Sequence, residues 1–332
     1  MNTPHANISI FVPHIGCPNR CSFCNQRYIT GAHMAPSPIA VADAVIAARS
    51  AKNYDPKNTE IAFFGGSFTA INRSYMLELL KSAAWFVENG IVSGIRISTR
   101  PDAINDEILK LLKSHHVTAI ELGAQSMRDR VLKMNNRGHT SLDVENASAL
   151  IKKYGFSLGL QMMTGLYKDS DTAAISTAKQ IIKIKPDTVR IYPTIVLKDT
   201  YLAALYADNK YQPQTLDGAV TLAAELLEMF LKADIPVIRL GLHSIEDDSF
   251  VAGPWHPAFS ELCKSALYLK RLKEKLKAKG NYTVFVGSKY ISQMVGQKRS
   301  NIKKLSEDGY NCKIVGDDTL KEYEIKVEGQ VE

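Results

Sequence analysis

Asn7-Ile8-Ser9-Ile10-Phe11-Val12-Pro13-His14-Ile15-Gly16-Cys17-Pro18-Asn19-Arg20-Cys21-Ser22-Phe23-Cys24-Asn25 is an apolar strand that runs directly into a loop with cysteines at 17, 21 and 24. The spacing is C-x3-C-x2-C. Three thiolates can hold three irons of a [4Fe–4S] cube, which leaves the fourth iron open to a substrate or cofactor. Two other readings compete. A structural zinc site wants four protein ligands, and His14 could complete such a set. A disulfide fits poorly, because the chain has five cysteines, an odd count, and no secretory signal. Cys263 and Cys312 stand alone and read as small buried apolar residues.

Beyond this loop, short apolar runs alternate with helical patterns. Residues 7–15, 60–64, 94–99, 119–125, 158–164 and 188–193 read as strands. Residues 75–88, 105–115, 142–154 and 172–184 read as helices between them. Strands interleaved with amphipathic helices imply parallel βαβ units, an α/β fold. A helix at 216–233, a strand at 237–242 and a long basic helix at 257–279 follow. The division predicted is a barrel over 1–245 and a small C-terminal extension over 246–332.

In parallel barrels, chemistry sits at the C-terminal ends of the strands. The polar motifs fall there. Gly65-Gly66-Ser67 follows the second strand, and its glycines let a ligand approach the backbone. Ser98-Thr99-Arg100-Pro101-Asp102 ends the third. Glu121-Leu122-Gly123-Ala124-Gln125-Ser126 lies on the fourth, where interior polar groups are costly without partners. Gln125 is expected to meet a bound cofactor, while Glu121 could balance Arg96, Arg100 or Arg190. Gln161 stands near the end of the fifth strand, and the adjacent Met162 and Met163 read as packing. Arg190-Ile191-Tyr192-Pro193 ends the sixth.

The cysteine spacing resembles the signature of the radical S-adenosylmethionine (SAM) enzymes. The alternation resembles their partial (β/α)6 TIM-like barrel. The resemblance implies a [4Fe–4S] cluster on Cys17, Cys21 and Cys24, with SAM chelated to the open iron. It further implies a 5′-deoxyadenosyl radical released by an electron from the cluster. The cofactor contacts it implies are Gly65, Gly66, Ser67, Ser98, Gln125 and Gln161. No residue is assigned a catalytic role. The common glycine turn ends in an acidic residue where this chain has Ser67, and an acidic residue is usual at Gln161. More narrowly, F-V-P-H-I-G-C-P-N-R-C-S-F-C, F-F-G-G-S-F-T, T-R-P-D, E-L-G-A-Q-S, N-N-R-G-H-T, V-R-I-Y-P-T and G-P-W-H-P-A-F occur in this order. They resemble the radical SAM module of the Elongator catalytic subunit and its shorter bacterial relatives, which modify the wobble uridine of tRNA. Oxygen-independent coproporphyrinogen III oxidase is similar more distantly. The 332 residues leave no room for the acetyltransferase domain of those subunits. The expectation is that this chain alone performs no acetyl-CoA-dependent step.

Composition is ordinary for a globular protein, at 45% hydrophobic and 23% charged. No long apolar run marks a membrane span, and Met1–His5 opens no signal peptide. A cytoplasmic location is expected. The net charge of +7 is uneven. Lys264 to Lys304 holds 12 Lys or Arg against Glu274 alone, a balance of +11 that leaves −4 elsewhere. Such a segment suits a polyanion, although a solvated lysine-rich helix face would look the same. Within it, a strand at 282–286, a helix at 289–295, Gly296-Gln297-Lys298-Arg299, a helix at 301–306 and a strand at 311–315 follow in turn. This order resembles a KH-type motif, whose G-x-x-G loop clamps a nucleic-acid backbone. Arg299 replaces the second glycine. Lys298, Arg299, Lys303 and Lys304 are the expected RNA contacts; the alternative is a structural helical hairpin closing the barrel bottom. The reading that follows is a radical SAM enzyme modifying a tRNA base, with ferredoxin or flavodoxin as reductant. The alternatives are a radical SAM enzyme for a porphyrin-like small molecule and a non-catalytic iron–sulfur RNA-binding subunit.

Overall fold

Strands covered on both faces read as unbroken apolar runs and assemble as parallel sheets sealed by helices. A computed structural model, which describes residues 5–12, 17, 20–25, 35–242 and 248–330, has this arrangement. β1 (Ala6–Val12), β2 (Thr59–Gly65), β3 (Gly94–Thr99), β4 (Val117–Gln125), β5 (Ser157–Thr164) and β6 (Thr188–Pro193) lie side by side in chain order, all parallel. The order never reverses, so the crevice of a doubly wound sheet is absent. Each strand joins the same edge, which builds the arc of a barrel. After β7 (Val196–Leu197), β8 (Val237–Leu240) joins beside β6 as a seventh parallel strand. Six βα units were expected, with 237–242 outside them. Four residues carry too little pattern to declare a sheet neighbour, and only the pairing with β6, from Val189 with Val237 to Ile191 with Leu240, does so. β1 and β8 do not pair, so the arc stays open.

The helices begin where side chains can cap them. α1 (Pro38–Arg49), α2 (Arg73–Glu88), α3 (Asp106–Ser114), α4 (Asp129–Met134), α5 (Ser141–Lys153), α6 (Asp171–Ile184), α7 (Tyr201–Ala207) and α8 (Leu216–Lys232) complete this part of the chain. Asn72, Asn105 and Ser170 accept from free N–H groups of the first turns, and Thr140 with Asp143 forms a capping box. These caps move helix starts by one or two residues from the sequence expectation. α1 was not anticipated from the sequence, although Ser37 caps it and Pro38 opens it. It buries Val41 and Val45 but exposes Ile39 and Ile46, so no amphipathic period marks it. Between strands and helices, Ile61, Phe63, Ile95, Ile97, Leu79 and Leu109 are sealed from solvent.

β9 (Phe250–Ala252) pairs antiparallel with β7. α9 (Phe259–Lys275) then packs along α8 and leads to β10 (Gly280–Val286). The basic helix was expected to reach 279; it stops because Leu276 takes extended backbone and buries its side chain. α10 (Ile291–Val295), α11 (Ser300–Glu307), β11 (Tyr310–Gly316) and β12 (Ile325–Gln330) follow. β10 is the central strand, parallel to β11 and antiparallel to β12. β12 is a strand the sequence reading lacked. Asn301 Nδ2, fully enclosed, donates to the Ser265 and Met294 carbonyls at 3.0 Å and so ties α11 to α9.

Candidate active site

A cavity of about 250 Å³ opens at the C-terminal ends of the strands. Cys17, Cys21, Cys24, Gly65, Gly66, Ser67, Ser98, Gln125 and Gln161 all border it. These nine lie far apart in the chain and meet because every strand of the arc ends at this rim. Lys298, Arg299, Lys303 and Lys304 lie instead on the α10–α11 connection and on α11.

Residues 21–24 form a turn, with Cys24 N donating to Cys21 O at 3.1 Å. Burial and then the neighbouring Cys21 and Cys17 push the Cys24 thiol up to about 12. Cys17 is raised for the same reasons, while Arg137, Arg100 and the Ser67 N–H pull it down. A metal bound at these thiols would take the place of their protons. Among the described residues, no three His, Cys, Asp or Glu side chains converge on a single-ion site. His14, the fourth ligand of the zinc reading, lies outside the described residues. Three cysteines around an open rim fit a [4Fe–4S] cluster with one iron free, so Cys17, Cys21 and Cys24 would hold it.

The turn after β2 is built for close approach. Gly65 has φ +110°, and a Cβ there would sit 2.8 Å from the Val12 carbonyl oxygen. That same carbonyl accepts from Gly66 N at 2.7 Å. Across the rim, the β4–β5 register slips between Gly123 and Gln125. The bulge leaves Gln125 at φ 62°, and Gln161 Nε2 donates to Gln125 Oε1 at 3.1 Å. Ser98 stands on the same wall. Met162 is enclosed, as expected, whereas Met163 also borders the cavity.

Residues not selected from the sequence complete the site. Arg137 Nη1 donates to Cys21 Sγ at 3.1 Å, and its Nη2 donates to the Gly123 carbonyl at 2.8 Å. His139 Nε2 donates to the Ala124 carbonyl at 3.1 Å. Burial, then Arg137, pushes His139 down to about 4, which keeps the ring neutral. Both residues lie in N-N-R-G-H-T, so the motif was visible while the roles of its side chains were not.

Glu121 and Arg190 form the cavity floor and belong to an ionic network that continues beneath it. Glu60 accepts from Arg96 at 2.9 Å; Arg96 also reaches Glu121 at 3.3 Å, and Arg190 meets Glu121 at 2.8 Å. Of the three arginines open for Glu121, Arg100 is not its partner, since it pairs with Asp102 at 2.5 Å. Alternating charges spare each buried group an unpaired state. Above this floor, Phe23, Met163, Tyr192 and Leu242 form an apolar wall.

The basic segment divides into two. On α9, Lys270 and Arg271 bind Glu228, Lys273 binds Asp308, and Lys264 binds Glu322. Lys298, Arg299, Lys303 and Lys304 are exposed and have no carboxylate partner among the described residues. The loop that carries the first two is strained, with Lys298 at φ 51° and Arg299 at φ 62°.

Comparison with known proteins follows this geometry. A family model described as the Radical SAM superfamily matches residues 11–181. A second, described as the Radical SAM C-terminal domain, matches 186–269. A tRNA uridine(34) acetyltransferase of Dehalococcoides mccartyi is 22% identical over 277 residues, covering 70% of this chain and 59% of that protein. Elongator complex protein 3 of Saccharomyces cerevisiae is 27% identical over 190 residues, covering 51% of this chain and 34% of that protein. The chain thus spans about three-fifths or less of these relatives. The archaeal Elp3 structure from Methanocaldococcus infernus shares the fold, with a TM-score of 0.65 at 19% identity over 88% of this chain and 68% of that one.

Proposed function

Because this chain belongs to the radical SAM superfamily, we propose that it binds a [4Fe–4S] cluster and SAM and modifies a base in tRNA. The observation that carries this is the meeting of three thiols, a glycine turn and two amides in one cavity. When bound, the cluster supplies the electron that cleaves SAM to a 5′-deoxyadenosyl radical. The chain's own residues do the positioning. The Gly65-Gly66 turn admits a ligand against the backbone. Gln125, Gln161 and Ser98 offer hydrogen bonds to its polar groups. Arg137 places a cation beside Cys21 and offsets the negative charge of a thiolate-ligated cluster. The apolar wall keeps water from the reacting centre.

Two observations favour RNA as the substrate. Relatives are named for tRNA chemistry, and Lys298, Arg299, Lys303 and Lys304 leave free cations on an exposed loop and helix. A base must leave its stack to enter such a cavity. A low-potential donor such as ferredoxin or flavodoxin would supply the electron. The test is anaerobic reconstitution of the full chain with iron, sulfide, SAM and a reductant, with and without tRNA. About four irons per chain are expected, from the cluster type. Release of 5′-deoxyadenosine should be lost on Cys17→Ala, Cys21→Ala or Cys24→Ala. Mass spectrometry of tRNA nucleosides should reveal a product. A stable one-zinc protein without iron would overturn the reading. Cleavage of SAM with no tRNA binding would point to a small-molecule substrate, and tRNA binding without cleavage to a non-catalytic subunit.

A further inference from the structure

Ser22 lies between two of the cysteine ligands and is wholly enclosed. Its N–H donates to the Asn135 carbonyl at 3.1 Å, and its Oγ donates to Asn135 Oδ1 at 2.6 Å. Its own carbonyl accepts from Leu202 N at 2.7 Å, which anchors the other side of the loop to α7. Asn135 is equally enclosed and uses every polar atom of its side chain. Nδ2 donates to the Val131 and Tyr167 carbonyls at 2.8 and 2.9 Å, and Oδ1 also accepts from Tyr167 N at 3.3 Å. Two and four residues later, Arg137 and His139 hold the Gly123 and Ala124 carbonyls. Those carbonyls belong to the bulge that turns Gln125 into the cavity.

One five-residue segment therefore grips the cysteine loop at its first residue and the cofactor-facing bulge at its third and fifth. Its Arg137 reaches both the Cys21 thiol and the Gly123 carbonyl, so the segment ties the spacing between thiols and amide. We infer that the Asn135–Ser22 pair is a positioning device: it sets the cysteine loop at the distance from Gln125 at which SAM can engage both. The inference rests on the cluster and SAM reading above and adds residues that touch neither group. An enclosed hydroxyl–amide pair suits this task, because losing it removes the shortest side-chain tie between the loop and Asn135 and lets the loop shift.

The experiment uses the full chain, reconstituted anaerobically, as wild type, Ser22→Ala and Asn135→Ala. Four quantities are measured: iron content, the melting temperature of the apo-protein, SAM affinity by calorimetry, and the change that SAM causes in the electron paramagnetic resonance spectrum of the reduced cluster. Ser22→Ala should load iron as wild type does and melt close to it. Its SAM affinity should fall about tenfold, near the upper worth of one buried hydrogen bond. The SAM-induced spectral change should weaken in parallel, and Asn135→Ala should show a larger loss of both. If either variant melts lower yet binds SAM with wild-type affinity and spectrum, the pair is only structural and the inference is overturned. A wild-type chain that shows no iron-dependent SAM binding would overturn the functional reading, and the inference with it.

Discussion

Gln125 combines two unusual properties, a positive φ of 62° and an amide enclosed at the cavity wall. Alanine bears the same backbone strain as glutamine at such a φ, so Gln125→Ala tests the amide alone. SAM binding should weaken roughly threefold to tenfold, the worth of one hydrogen bond, with iron content unchanged. Unaltered affinity would assign Gln125 to the substrate or the core. His139 provides a pH signature. Its ring is held down to about 4 by burial and then by Arg137, while an unfolded histidine titrates near 6.5. Between those values the unfolded chain takes up a proton that the folded chain refuses. Stability from the neutral ring is therefore complete above about pH 6.5 and is lost as pH falls toward 4, by up to ~3 kcal/mol. The apo-protein should melt progressively lower from pH 7 to 5. His139→Gln keeps a donor for Ala124 and cannot titrate, so its decline should be shallower; an equal decline in both would remove His139 from the account.

At the scale of elements, the α10–α11 connection holds two side-chain-bearing residues in the left-handed region, Lys298 and Arg299. Each costs about 1–2 kcal/mol relative to a relaxed backbone. Nothing in the packing demands a cation there, since both side chains are exposed. Arg299→Gly should therefore stabilise the chain by about 1 kcal/mol in urea unfolding. The same change should weaken tRNA binding and lower the slope of log affinity against log salt by about one. A variant that gains stability and keeps its salt slope would mean that Arg299 makes no phosphate contact.

Across the whole molecule, similar charges have different tasks. Glu228, only 5% exposed, gathers Lys232, Lys270 and Arg271 and so fastens α9 to the barrel. Lys273 meets Asp308 at 2.5 Å and joins α9 to the end of α11. These cations are spent on the fold. Lys270→Ala with Lys273→Ala should lower stability by about 1 kcal/mol, as half-exposed pairs do, and leave tRNA affinity near wild type. Lys298→Glu with Arg299→Glu should do the reverse, weakening tRNA binding most at low salt while the melting temperature holds. Equal losses of tRNA affinity in the two double variants would show that net charge alone governs binding.

The cysteine spacing, the glycine turn and the order of strands and helices were legible from the sequence because each is local. A loop of eight residues holds all three thiols, a run of four to eight apolar residues declares a buried strand, and the rim motifs follow from strand ends. The seventh strand, the partners of Glu121 and the division of the basic segment were not legible. A charge count cannot tell a lysine beside Glu228 from one in solvent, because that partner lies 42 residues away in the chain. Arg137, His139 and Asn135 stood in a recognisable motif, yet their work is to hold carbonyls and a thiol brought near only when the strands of the arc assemble side by side. Backbone periodicity is written within a few residues, whereas hydrogen-bond partners and burial depend on which distant strands become neighbours, and only the tertiary structure decides that.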